Sequence, residues 1–313
     1  MNDERHSRIT ALCNQNRHDE ATRLCMDMLD EDNNNAVALF QLGTILLVQD
    51  RKGLAYNVLA RACKLSPEHP EMWLNYGRAH PDRPSEWGRS EWCIRKALKL
   101  FGKEGRGSTA TAHANLAMLA YIQGKTDRAQ ECVSEALSID PSNQNAMVTQ
   151  GFVHLAKGEW AKAWHLYDIM LRTGKRMSCT YGDEPEWDGR LGKRLIISGE
   201  QGIGDEIMYA SCFGEVIADC DKVVIECMPR LQKLFQRSFP SAKVYGTRWD
   251  KEVFWEEDHS PEAHVAMATL PRFYRHTDGD FPGGAYLSPN PGIVSAVKGL
   301  LRTLGSLPKV GIA

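Results

Sequence analysis

Residues 199–210 read GEQGIGDEIMYA and follow KRLIIS at 193–198, so a short apolar run meets a glycine-dense, acid-bearing turn. Glycines at 199, 202 and 204 permit close backbone approach, and Asp205 and Glu206 suit the first turn of a helix. The stretch therefore predicts a strand, a turn and a helix. Downstream, KVVIEC predicts a second strand, PRLQKLFQRSF a helix opened by Pro229, and AKVYG another strand. The helix after the turn is expected over 204–218. Strands alternating with helices imply a parallel sheet covered on both faces, with ligands collecting beyond the carboxyl ends of the strands. That is where the glycine turn falls.

Upstream the period changes. Leu39, Leu42, Gly43 and Leu46 are followed by Ala55, Leu59, Ala62 and Pro67, and the same offsets recur at Trp73, Tyr76, Gly77, Ile94 and Ala97. Further copies contain Leu116, Ala117, Ala129, Val133, Ala136 and Pro141, then Gly151, Ala163 and Tyr167, while a weaker first copy carries Ala21 and Leu24. Ala21 and Ala55, like Ala129 and Ala163, lie 34 residues apart, the tetratricopeptide period. About five helix pairs are expected over 1–171, with irregular connections at AHPDRPSEWGRS and FGKEGRGSTAT. Their groove suits an extended peptide or another domain. Trp73, Trp92, Trp160 and Trp164 read as packing residues. Residues 172–192 form a polar connector anchored by Trp187, and 193–308 the α/β domain.

At 313 residues and 42% hydrophobic content the chain can build substantial cores. Its nine scattered cysteines, with no CxxC pair, suit a reducing compartment, and the charged amino terminus lacks a signal-peptide run, so a cytoplasmic location is expected. A net charge of −2 with interspersed signs points away from nucleic acid, and no run is long enough for a transmembrane segment.

The turn is not a dinucleotide fingerprint, because Ile207 stands where GxGxxG needs its last glycine, although Glu226 ends the second strand. Glu200, Asp205 and Glu206 also crowd negative charge where a pyrophosphate would sit. Asp205 can be read as a proton acceptor or as a helix cap. His264, in PEAHVAMATLP, can be read as facing the same cleft or filling its wall. No convergent metal-ligand set is evident.

The series WDGRLGKRLIISGEQGIGDEIMYASCF, VVIECMPRLQKLF, HVAMATLPRFY and KVGIA resembles bacterial tetratricopeptide-repeat glycosyltransferase-like proteins. These are related to O-linked N-acetylglucosamine transferases and, more remotely, to heptosyltransferases. The resemblance implies an α-solenoid followed by a Rossmann-like parallel-sheet domain, the amino-terminal, acceptor-side half of a two-Rossmann (GT-B) fold. It implies inverting sugar transfer with Asp205 as base, His264 near it, and Gln201, Gly202 and Gly204 facing an acceptor. The partner would be a protein or glycan acceptor, or a peptide in the repeat groove. A nucleotide-sugar donor is expected only with a carboxy-terminal half that would begin at 309–313, so the chain as given is expected to be inactive alone. The alternative is a non-catalytic tetratricopeptide-repeat scaffold for protein contacts.

Overall fold

A computed structural model describes residues 2–79, 84–102, 106–176, 184–248 and 261–303. The chain divides into two compact units, Met1–Lys157 and Gly158–Ala313.

The first unit is an α-solenoid. Helices α1 (Asn2–Asn14) and α2 (His18–Glu31), α3 (Ala36–Val48) and α4 (Lys52–Leu65), α5 (Pro70–Arg78) and α6 (Trp87–Phe101), and α7 (Arg106–Ile122) and α8 (Thr126–Ile139) form successive hairpins, and α9 (Gln144–Ala156) follows. Local chemistry sets their ends. Asn35 Oδ1 accepts the Ala38 N–H at 3.0 Å and Asn143 Oδ1 the Ala146 N–H at 3.1 Å, so equivalent asparagines cap α3 and α9. Inside the hairpins the chain reverses through left-handed residues, Asn16, Asp50 and Gly124. Asparagine, aspartate and glycine tolerate that conformation best.

Small residues let the paired helices approach. A Cβ on Gly43 would lie 2.5 Å from Leu59 Cγ, and one on Gly77 would lie 2.7 Å from Ile94 Cγ1. Ala21, Ala55, Ala97 and Ala129 on the second helices are wholly buried. The first helices, α1, α3, α5, α7 and α9, lie side by side as one layer, and each second helix packs on its own partner. Each hairpin thus buries its apolar stripe against its neighbours, which is how a repeat array accumulates a core. The irregular connection expected at 79–90 falls partly at 80–83, and that before α7 at 103–105, outside the described residues.

The second unit opens with α10 (Trp160–Tyr167) and α11 (Ile169–Arg172) and continues into the α/β part. Strands β1 (Arg194–Ser198), β2 (Lys222–Glu226), β3 (Lys243–Tyr245) and β4 (Ala263–Ala266) form a four-stranded sheet in the order β3-β2-β1-β4. All its pairings are parallel; Ile196 lies opposite Val224 on one side and His264 on the other. The chain runs outward from β1 to β3 and then returns to the other side of β1, so a switch point lies beyond the ends of β1 and β4. The overall arrangement is an α-solenoid followed by a small Rossmann-like parallel sheet.

Helices α12 (Ile203–Tyr209) and α13 (Phe213–Asp219), separated by a 3-10 turn at Ala210–Cys212, occupy the span expected as one helix. Helix α14 (Gln232–Ser238) begins three residues beyond Pro229, which lies in the preceding turn. Phe213, Phe235 and Phe239 meet edge to face in the core of this unit. The connector is fastened along β4: the Trp187 N–H donates to His264 O at 2.7 Å, and the His264 N–H donates to Pro185 O at 3.0 Å. The Trp187 ring is buried against Phe273 and Tyr274. The four-residue α15 (Pro271–Tyr274) follows β4, and α16 (Pro291–Thr303) is the last described helix.

Candidate functional site

The glycine turn leaves β1 at Ser198 and enters α12 at Ile203. Gly199 must be small: a Cβ there would lie 2.8 Å from Glu206 Oε1 and 3.0 Å from the Glu226 carbonyl oxygen. Gln201 takes a left-handed backbone, φ 60°, held where Arg248 Nη2 donates to its carbonyl at 2.6 Å. Its side-chain Nε2 donates to Tyr167 Oη at 3.0 Å. Gly202 is the N-cap of α12, and Asp205 Oδ2 accepts its N–H at 2.9 Å. Gly204 faces open space.

The acids of the turn have internal partners. Glu200 is buried; Arg176 Nη2 donates to its Oε1 at 2.7 Å and Arg176 Nε to its Oε2 at 2.8 Å, while the Ala268 N–H donates to Oε1 at 2.8 Å. The same guanidinium donates to Asp168 Oδ1 at 3.0 Å and Thr269 Oγ1 at 3.2 Å, and Thr269 Oγ1 donates to Asp168 at 2.8 Å. Arg176 also lies over the Tyr167 ring. Burial pulls this guanidinium down, but Glu200 and Asp168 more than offset that and hold it above its ordinary value. Arg176 thereby ties the turn after β1 to Asp168 and to Thr269 beyond β4. Glu206, also fully buried, pairs with Arg248 and accepts the Met228 N–H at 2.9 Å. Burial pushes its carboxyl up, and these partners offset the rise only in part.

Gln201, Gly202, Gly204 and Asp205 therefore share one turn. His264 does not join them: it lies on β4 with Nδ1 bonded to the Glu184 carbonyl at 2.7 Å, facing the connector. Sequence reasoning missed Arg176, Asp168, Thr269 and Arg248, whose partners are far away in the chain and whose local sequence carries no periodic signal.

The first unit presents a different kind of surface. On its first-helix layer, Asn75 Nδ2 donates to Thr44 Oγ1 at 2.9 Å, linking α5 to α3, and Arg78 Nη1 donates to Asn75 Oδ1 at 3.3 Å. Between α1 and α3 this layer opens into a hollow of about 250 Å³, walled chiefly by Ile9, Cys13, Phe40, Ile45 and Val48.

Comparison with known proteins places these repeats. The family described as the CNOT10 tetratricopeptide repeat domain matches residues 87–161. Protein FlbA of Caulobacter vibrioides is 26% identical over 321 residues, covering 91% of this chain and 49% of FlbA, so the chain spans about half the length of that curated relative. Among solved structures, the type IV pilus biogenesis factor PilW is 17% identical with a TM-score of 0.47, covering 55% of this chain and 77% of PilW. TTC0263, a thermophilic TPR protein of Thermus thermophilus, is 15% identical with a TM-score of 0.47, covering 56% of this chain and 98% of its own.

These findings correct one expectation. The transferase, glycosyltransferase and GT-B reading is overturned: the family match is to a tetratricopeptide repeat, and the curated relative carries no transferase designation. In the turn, Glu200 and Glu206 are held in ion pairs, and Asp205 accepts the Gly202 N–H at the start of α12. The segment 309–313, expected to start a donor-side half, lies outside the described residues.

Proposed function

We propose that this chain is a protein-interaction scaffold whose repeat array receives an extended peptide from a protein partner. The observation that carries the reading is the hollow between α1 and α3: an apolar recess in the layer of first helices, the layer that repeat arrays use as an extended binding surface. Ile9 and Ile45 form the buried floor of the recess, Phe40 and Cys13 pack partly buried against it, and Val48 is left exposed at its edge. Among the described residues no helix is long and apolar enough to cross a membrane.

The test is to pan a random dodecapeptide display library on the full chain, then map a photo-crosslinking copy of each enriched peptide by mass spectrometry. Crosslinks are expected on α1, α3 and α5. Crosslinks confined to α2, α4 and α6, or no enrichment at all, would remove the reading.

A further inference from the structure

The two edges of the sheet are closed by different means. Along β4 the connector lies as main chain, with the Trp187 N–H on His264 O and the His264 N–H on Pro185 O. Beyond β3 no strand follows among the described residues, and side chains take its place. Tyr245 O accepts the Cys227 N–H at 3.0 Å, so Tyr245 turns its backbone toward β2. Val244, the residue before it, therefore turns its own N–H and C=O outward. The Val244 N–H donates to Gln236 Oε1 at 3.0 Å, and Gln236 Nε2 donates to Ala242 O at 2.9 Å. Gln232 Nε2 donates to Val244 O at 3.2 Å.

These are the bonds that a further parallel strand would make. In a parallel pair, one residue donates its N–H to a carbonyl of the neighbouring strand and accepts the N–H found two residues further along it. The single amide of Gln236 does both, to Ala242 and Val244, and the Gln232 amide supplies the next N–H of such a strand. The two glutamines lie four residues apart on α14, hence on one face, while Phe235 is buried. Gly246 leaves room for the reach: a Cβ there would lie 2.9 Å from Gln232 Oε1. An open strand edge is a template for pairing with another chain, and identical edges meet about a two-fold axis. We infer that Gln232 and Gln236 form an edge guard, which occupies the hydrogen-bonding positions of an absent fifth strand and keeps β3 from pairing with the β3 edge of a second copy of this chain. Side chains leave such positions by a rotamer change, whereas the β4 edge opens only if main chain is pulled away, so β3 is the edge at which self-pairing starts. The inference is independent of the scaffold reading.

The experiment compares the full chain with its Gln232→Ala/Gln236→Ala double variant, by amide hydrogen exchange resolved to single residues and by sedimentation velocity over a concentration series. In dilute solution the Val244 amide of the double variant is expected to exchange roughly tenfold faster than in the wild type, as loss of one hydrogen bond allows. Ile196, which has strands on both sides, should keep its wild-type rate. As concentration rises the double variant should dimerise where the wild type does not, and its Val244 amide should regain protection as the dimer forms. Association that leaves the Val244 amide fast overturns the inference, because the copies then meet elsewhere. Fast exchange at Val244 without association, or wild-type exchange at Val244 in the double variant, overturns it as well. Gln236→Ala alone frees the Val244 N–H and Ala242 O while Gln232 stays in place, and it is read in the same way should the double variant fail to fold.

Discussion

At the scale of single residues, the glycine turn separates positions that look alike in sequence. Gly199 is pressed by Glu206, Glu226 and the backbone of Cys227, whereas a Cβ added to Gly204 would meet nothing within 4 Å, and that residue lies inside α12. Gly199→Ala should therefore destabilise the fold by about 1–3 kcal/mol through overpacking, and Gly204→Ala should be neutral or stabilising by up to about 1 kcal/mol. Urea unfolding of the two variants checks this; equal midpoints would contradict the steric account. Asp205 is separable in the same way. As an N3 carboxylate returning to the Gly202 N–H, it should tolerate asparagine with a small loss, while alanine should cost about 0.5–2 kcal/mol. The sequence showed that these glycines and acids gather at one turn. It could not show which acid is buried, because Arg176 and Arg248 reach Glu200 and Glu206 across 24 and 42 residues.

At the scale of elements, the hairpins were legible because their small residues repeat with the chain. Gly43 and Gly77 sit where the two helices of a pair nearly touch, so the helix-propensity gain of an added methyl, about 1 kcal/mol, is outweighed by the clash with Leu59 or Ile94. Gly43→Ala and Gly77→Ala should each lower stability, by thermal unfolding, and a rise in midpoint would refute the close-packing argument. Strand β4 was not legible. It is only four residues long with a histidine inside, and its identity comes from pairing with β1 and from the connector bonded along its outer edge. The helix expected over 204–218 breaks because a 3-10 turn at Ala210–Cys212 intervenes. The tie from α10–α11 to the sheet is testable at Arg176. Arg176→Ala leaves Glu200 buried without its cation and Asp168 with only Arg272 at 3.5 Å, a change expected to cost about 3–5 kcal/mol. A double change, Arg176→Met with Glu200→Gln, should recover part of that loss if the missing counter-charge is the cause.

Across the molecule, the cysteines carry a pH signature. Burial pushes the thiols of Cys25, Cys63 and Cys93 up to about 12 from an ordinary value of 9.0. A folded-state value above the unfolded one gives stability that is complete below pH 9 and declines as the pH rises toward 12, because only the unfolded chain then releases the proton. The guanidinium midpoint under reductant should fall from pH 8 to pH 10; an unchanged midpoint would exclude this linkage. The structure buries seven of the eight described cysteines, leaving Cys13 partly exposed.

The pairing pattern of the two units also bears on how the chain is made. In the solenoid each helix finds its partners in adjoining hairpins, so every pair can close soon after it leaves the ribosome tunnel. The sheet has no such option: β1 sits in its interior, and Leu195 must wait for Ala263 before its second neighbour exists. Non-local parallel pairing is slow to form and exposes strand edges meanwhile. During synthesis a finished repeat array is thus followed by an interval in which β1 has been translated but cannot be covered, and that interval is when a nascent-chain chaperone has most to hold.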